Sequence, residues 1–119
     1  MKNQKKFSKY NDGIVYIYKE KERYTDFSAK RNVSSKDDMD FVVKLAFEES
    51  ARREQDLKFA EANDFSLTAK VKTRLVKSVD NSHKAVIDGY LYDISHVDKN
   101  RTEMWLYLEG VRPLDSAGD

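Results

Sequence analysis

The stretch Lys84–Glu109, KAVIDGYLYDISHVDKNRTEMWLYLE, decides the fold. It reads as three consecutive β-strands joined by tight connections. The first connection is Asp88-Gly89. An Asp-Gly pair between two apolar runs marks a hairpin, because the favoured turn needs positive φ at both central residues and glycine supplies it without steric cost. Beyond the turn, Tyr90, Tyr92 and Ile94 fall on one face, and Leu91, Asp93 and Ser95 on the other. The last run places Met104, Leu106 and Leu108 on one face and Trp105 and Tyr107 on the other. A strand that is apolar on both faces does not suit a sheet with one wet side. The expectation is that part of this aromatic surface meets another chain.

Working back towards the N-terminus, Leu67–Val76, LTAKVKTRLV, alternates cleanly. Leu67, Ala69, Val71, Thr73 and Leu75 face in, and Thr68, Lys70, Lys72 and Arg74 face out. Residues 79–83 read as a loop. Phe41–Ala62 admits two readings. One is a single helix from Ser35 through Ala62, with aspartates at its favourable N-terminal end. The other takes the alternation of Phe41, Val43, Leu45 and Phe47 as a strand over 41–48. A helix then runs from about Ala51 to Ala62, with Ser50 as N-cap. The second is preferred. Its helix has a narrow apolar stripe of Leu57 and Ala60, and Asn63 would take the left-handed position at its end.

Residues 20–40 lack periodicity. They carry a basic half (Lys30, Arg31) and an acidic half (Asp37, Asp38, Asp40). So long a connection inside a compact domain is usually functional or disordered. Ile14–Lys19, IVYIYK, is rich in β-branched and aromatic residues and reads as the first strand. Residues 1–13 form a polar arm ending in the turn-like Asn11-Asp12-Gly13, and residues 113–119 a flexible tail. The expected fold is a single mainly β domain: a small antiparallel barrel or sandwich of about six strands with one short helix.

Composition bounds the function. The chain has 119 residues, with 22 Lys plus Arg against 21 Asp plus Glu, a net charge of +1. That balance argues against a protein whose main work is tight nucleic-acid binding, which is driven by neutralising phosphates. Seven Tyr, six Phe and one Trp are too many for a disordered chain. Cysteine is absent, so neither a disulfide framework nor thiolate chemistry is expected. No run is long and apolar enough to cross a membrane. No apolar signal core follows the basic start at Lys2, Lys5 and Lys6.

No catalytic constellation stands out, and no cofactor is expected. The glycines are isolated, which excludes a phosphate-cradling loop. His83 and His96 read as turn residues without a partner at metal-ligand spacing. Asp37, Asp38 and Asp40 lack the glycine and terminal glutamate of a calcium loop. Arg53-Glu54 could pair across a subunit boundary or simply within its helix. The row Lys70, Lys72, Arg74 could track phosphates, but protection of a strand edge is the preferred reading. Trp105 and Tyr107 could stack bases, as on barrels that bind single strands. A subunit contact is preferred, since Trp and Tyr are enriched at protein interfaces.

Taken in order, these elements resemble the head–tail connector proteins of long-tailed bacteriophages, and more narrowly their head-closure, or stopper, branch. The matching features are the run Val43–Phe47, the Arg53-Glu54 pair before an Ala-containing helix (Phe59, Ala60, Ala62), the basic-alternating strand Lys70–Arg74, and the hairpin Ala85–Ile94 with its closing strand Met104–Leu108. The likeness covers about Ile14 to Arg112. It departs in the longer first connection, 20–40. The resemblance implies a virion structural protein of the neck, made in the host cytoplasm and assembled as a twelve-fold homo-oligomeric ring. Its partners would be a portal-bound adaptor on the head side, a tail terminator or tail tube on the tail side, and double-stranded DNA in the channel. Such rings help retain packaged DNA and dock the tail, and in some a long loop gates the channel. On this reading Lys30, Arg31, Asp37, Asp38 and Asp40 make channel or subunit contacts, and Arg53, Glu54, Trp105 and Tyr107 line the subunit interface. The alternatives are a tail-terminator ring protein, or a single-strand nucleic-acid-binding barrel using Trp105, Tyr107, Lys70, Lys72 and Arg74.

Overall fold

The computed structural model describes residues 9–21 and 38–114. Lys30, Arg31 and Asp37, expected to make channel or subunit contacts, lie outside the described residues. The order is β1 (Gly13–Glu20), β2 (Met39–Ser50), α1 (Glu54–Ala62), β3 (Ala69–Arg74), β4 (His83–Ile87), β5 (Tyr90–Lys99) and β6 (Glu103–Pro113). The strands close into an antiparallel barrel in the order β1-β2-β3-β6-β5-β4, with β1 pairing to β4 as well as to β2. The expected mainly β fold with one short helix is therefore found, and it is a barrel rather than a sandwich.

Alternation builds the interior. Val15 and Ile17 from β1, Val71 from β3, Ile94 from β5, and Leu106 and Leu108 from β6 are buried together inside the cylinder. Each such side chain taken fully from water contributes about 1.5–3 kcal/mol of hydrophobic stabilisation. The turn between β4 and β5 has φ 51° at Asp88 and 82° at Gly89, as the Asp-Gly pair requires. Gly13, at the start of β1, lies beneath the Phe47 ring. A Cβ there would come within 2.9 Å of Phe47 Cε2.

Several boundaries differ from expectation, each for a physical reason. β2 and the helix are separate elements, so the single-helix alternative is excluded. The helix begins at Glu54 with Arg53 as N-cap, not Ser50, because Ser50 still pairs with Lys70 in the β2–β3 ladder. Asn63 has φ −110°, and the left-handed position falls one residue later, at Asp64 with φ 61°. The β1–β2 connection is residues 21–38, because Glu20 pairs with Met39. Arg112 and Pro113 belong to β6, and the Leu114 N–H donates to the Gly89 carbonyl at 2.9 Å. His96 lies within β5 rather than in a turn.

A second apolar cluster sits on the outer face. Tyr18, Met39, Val86 and Leu91 are buried there, with Leu114 packed against them. Leu91, one of the residues expected opposite Tyr90, Tyr92 and Ile94, belongs to it, whereas Tyr92 and Ile94 join the interior.

Candidate functional site

Three strands present a shared outer row. Lys70 of β3 stands beside Tyr107 of β6, and Tyr107 beside His96 of β5. Helix α1 lies over this row. Ala60 packs with Leu67 and Tyr107, and the Phe59 ring meets His96 at a tilt, with ring centroids 4.9 Å apart. Tyr107 is 7% exposed as a result. The aromatic face of β6 assigned to a neighbouring chain is thus covered, at Tyr107, by the chain's own helix. Trp105 is half-buried at the border of the same cluster. A nine-residue helix is marginal alone, so this contact is what holds it.

One polar residue fastens the helix. Asp56, in its first turn, is 5% exposed. Its Oδ2 accepts from Lys70 Nζ at 3.0 Å and from the Arg53 N–H at 2.9 Å, and its Oδ1 accepts from the Tyr107 hydroxyl at 3.4 Å. Burial pushes the Asp56 carboxyl up, but the Arg53 N–H, the Lys70 ammonium and the Tyr107 hydroxyl outweigh it and hold it below the usual range. Burial raises the Tyr107 phenol, Asp56 adds to that, and Lys70 opposes it. Sequence reasoning missed Asp56. It sits four residues before Ala60, on the same helix face, and the acid at that spacing was the available signal.

Two of the three residues of the expected basic stripe are paired with carboxylates. Lys70 is held by Asp56, and Lys72 lies 3.5 Å from Glu48 and 3.9 Å from Glu103. Arg74 lies over the Tyr10 ring, 5.8 Å from its centroid. Nor does the stripe protect an edge, since β3 is paired on both sides by β2 and β6. These lysines serve ion pairs between elements, and Lys70 and Tyr107 do not form an open cationic platform for bases. Glu54 pairs with Lys58 at 3.6 Å along the exposed side of the helix, and Arg53 is exposed at the helix start. Asp38 is half-buried at the end of the connection, and Asp40 is exposed opposite Lys19.

The exposed large apolar side chains among the described residues fall in two patches, with Tyr90 apart from both at the start of β5. On the β1–β2 wall, Ile14 pairs with Ala46, Tyr16 with Lys44, and Tyr18 with Phe41. Phe41 is 56% exposed, and Ile14 and Tyr16 are also exposed. The second patch is at α1, where Leu57 is 47% exposed and Phe59 is partly open. In the closed order, β1 stands three strands from β6 in either direction, so the two patches occupy opposite walls. Among the described residues no cluster of His, Cys, Asp or Glu could hold a metal ion. No described helix is long and apolar enough to cross a membrane. No protein-family model matches the chain, and no curated protein matches it.

Proposed function

We propose that this chain is a ring-forming structural subunit of the phage neck, a head-closure connector that helps retain packaged DNA and docks the tail. The observation that carries the reading is the placement of two unlike apolar patches on opposite walls of a closed barrel. A subunit that binds its neighbour through two different surfaces associates head to tail, and such contacts close into a ring when the rotation permits.

Three further features support the reading. The order strand, helix, strand, hairpin and closing strand follows the connector pattern set out above, from which the long first connection departs. The long connection leaves and re-enters the barrel at adjacent strand ends, Glu20 and Met39. A net charge of +1 suits a wall past which DNA must move without sticking. The partners on this reading are further copies of the chain in a twelve-fold ring, the adaptor ring on the head side and the tail on the other.

The test is an image of the neck of the phage particle that encodes this chain, with the chain traced. A ring of this barrel between adaptor and tail is the expected result. Its absence from the particle, or its placement at the tail end alone, overturns the reading.

A further inference from the structure

We propose that one copy of the chain seats the β1–β2 wall on the α1 groove of the next, with Phe41 entering the groove and Lys44 meeting Glu61. This deepens the ring reading and rests on it only for the expectation that such contacts repeat around a ring.

The entering face is pre-shaped. Phe41 is the most exposed of the large apolar side chains described, and Tyr18 supports it edge-on at 5.8 Å between ring centroids. Lys44 stands beyond it on the same wall, opposite Tyr16, and makes no ion pair among the described residues. The receiving face is a groove along α1. Leu57, Ala60, Phe65 and Leu67 line it, together with Glu54, Lys58 and Glu61. Glu54 is engaged by Lys58, while Glu61 has no ion-pair partner among the described residues.

Charge selects the occupant. Lys44 on the wall and Glu61 beside the groove each make no ion pair among the described residues, so seating wall on groove pairs opposite charges at an apolar centre. One chain therefore carries both halves of a complementary contact on opposite walls, and the occupant of the groove is a second copy of the same chain.

The chain has no cysteine, so introduced thiols report the contact alone. Phe41→Cys and Leu57→Cys variants are made separately and oxidised at millimolar concentration, alone and mixed. The mixture is expected to give a disulfide-linked dimer that neither variant gives alone. Adding Lys44→Glu to the first variant should lower the yield about tenfold, and adding Glu61→Lys to the second should restore it. All four positions are exposed, and circular dichroism of each variant checks that the fold is kept. No mixed product, equal product from either variant alone, or no rescue by the charge swap overturns the proposal. A neck ring joined through other surfaces would overturn this contact and leave the ring reading standing. A mixed disulfide from a chain absent from the neck would do the reverse.

Discussion

Lys70 Nζ lies 3.0 Å from Asp56 Oδ2, with only 12% and 7% of the two side chains exposed, and this pair pins α1 to the barrel wall. A buried pair is worth little more than a well-packed apolar pair. Breaking it from one side is costly, because the other charge is left without a partner. Asp56→Ala is therefore expected to cost about 3 kcal/mol in urea unfolding. The double variant Asp56→Leu/Lys70→Met should recover most of that. A loss below about 1 kcal/mol for Asp56→Ala would mean that the helix is held by its apolar contacts alone.

The same carboxylate gives an acid transition. The folded value of Asp56 lies below its unfolded value of 3.8. Its contribution is therefore fully present above pH 3.8 and is lost as the pH falls through the lower folded value. Trp105, the only tryptophan, lies at the edge of the α1 contact. Its emission should move to longer wavelength below pH 3.8, together with loss of helical circular dichroism. In Asp56→Asn that step should disappear.

Gly13→Ala is expected to destabilise the barrel by about 1–3 kcal/mol. The backbone there has φ 152°, and the added methyl would meet the Phe47 ring at 2.9 Å. Phe47→Leu in the same chain should relieve part of the clash, which thermal denaturation of the single and double variants measures.

Binding to single-stranded oligonucleotides should be weak, and fluorescence anisotropy between about 50 and 200 mM salt should show a shallow slope. The reason is local: Lys70 and Lys72 face carboxylates, and Tyr107 lies beneath α1. A steep salt dependence that Arg74→Ala reduces would return the barrel-binder reading to the front.

The strands were legible because their signals are local. Alternation in Val15/Ile17, in Val71/Thr73 and in Met104/Leu106/Leu108, together with Asp88-Gly89, needs no knowledge of distant partners. Closure was not legible, because β1 meets β4 across most of the chain and neither strand declares its second neighbour. The same limit misled the reading of β6. Its second apolar face looked surplus because the helix that covers it belongs to a separate stretch of sequence. The helix stripe was half legible for a related reason. Ala60 is buried as its place in the stripe implied, Leu57 is exposed, and Asp56 is buried where Lys70 on β3 meets it.

Zipping β1 to β4 has a mechanical corollary. Every strand in the cylinder is gripped along both flanks, including β1 and β6, which lead to the two termini. A pull on either terminus first meets a short one-sided stretch, Gly13–Val15 on β2 or Glu109–Pro113 on β5, and then must shear two ladders at once. Force applied to the wall is shared around its circumference, and the first part to give should be α1, which is fastened from outside by one carboxylate and a few rings.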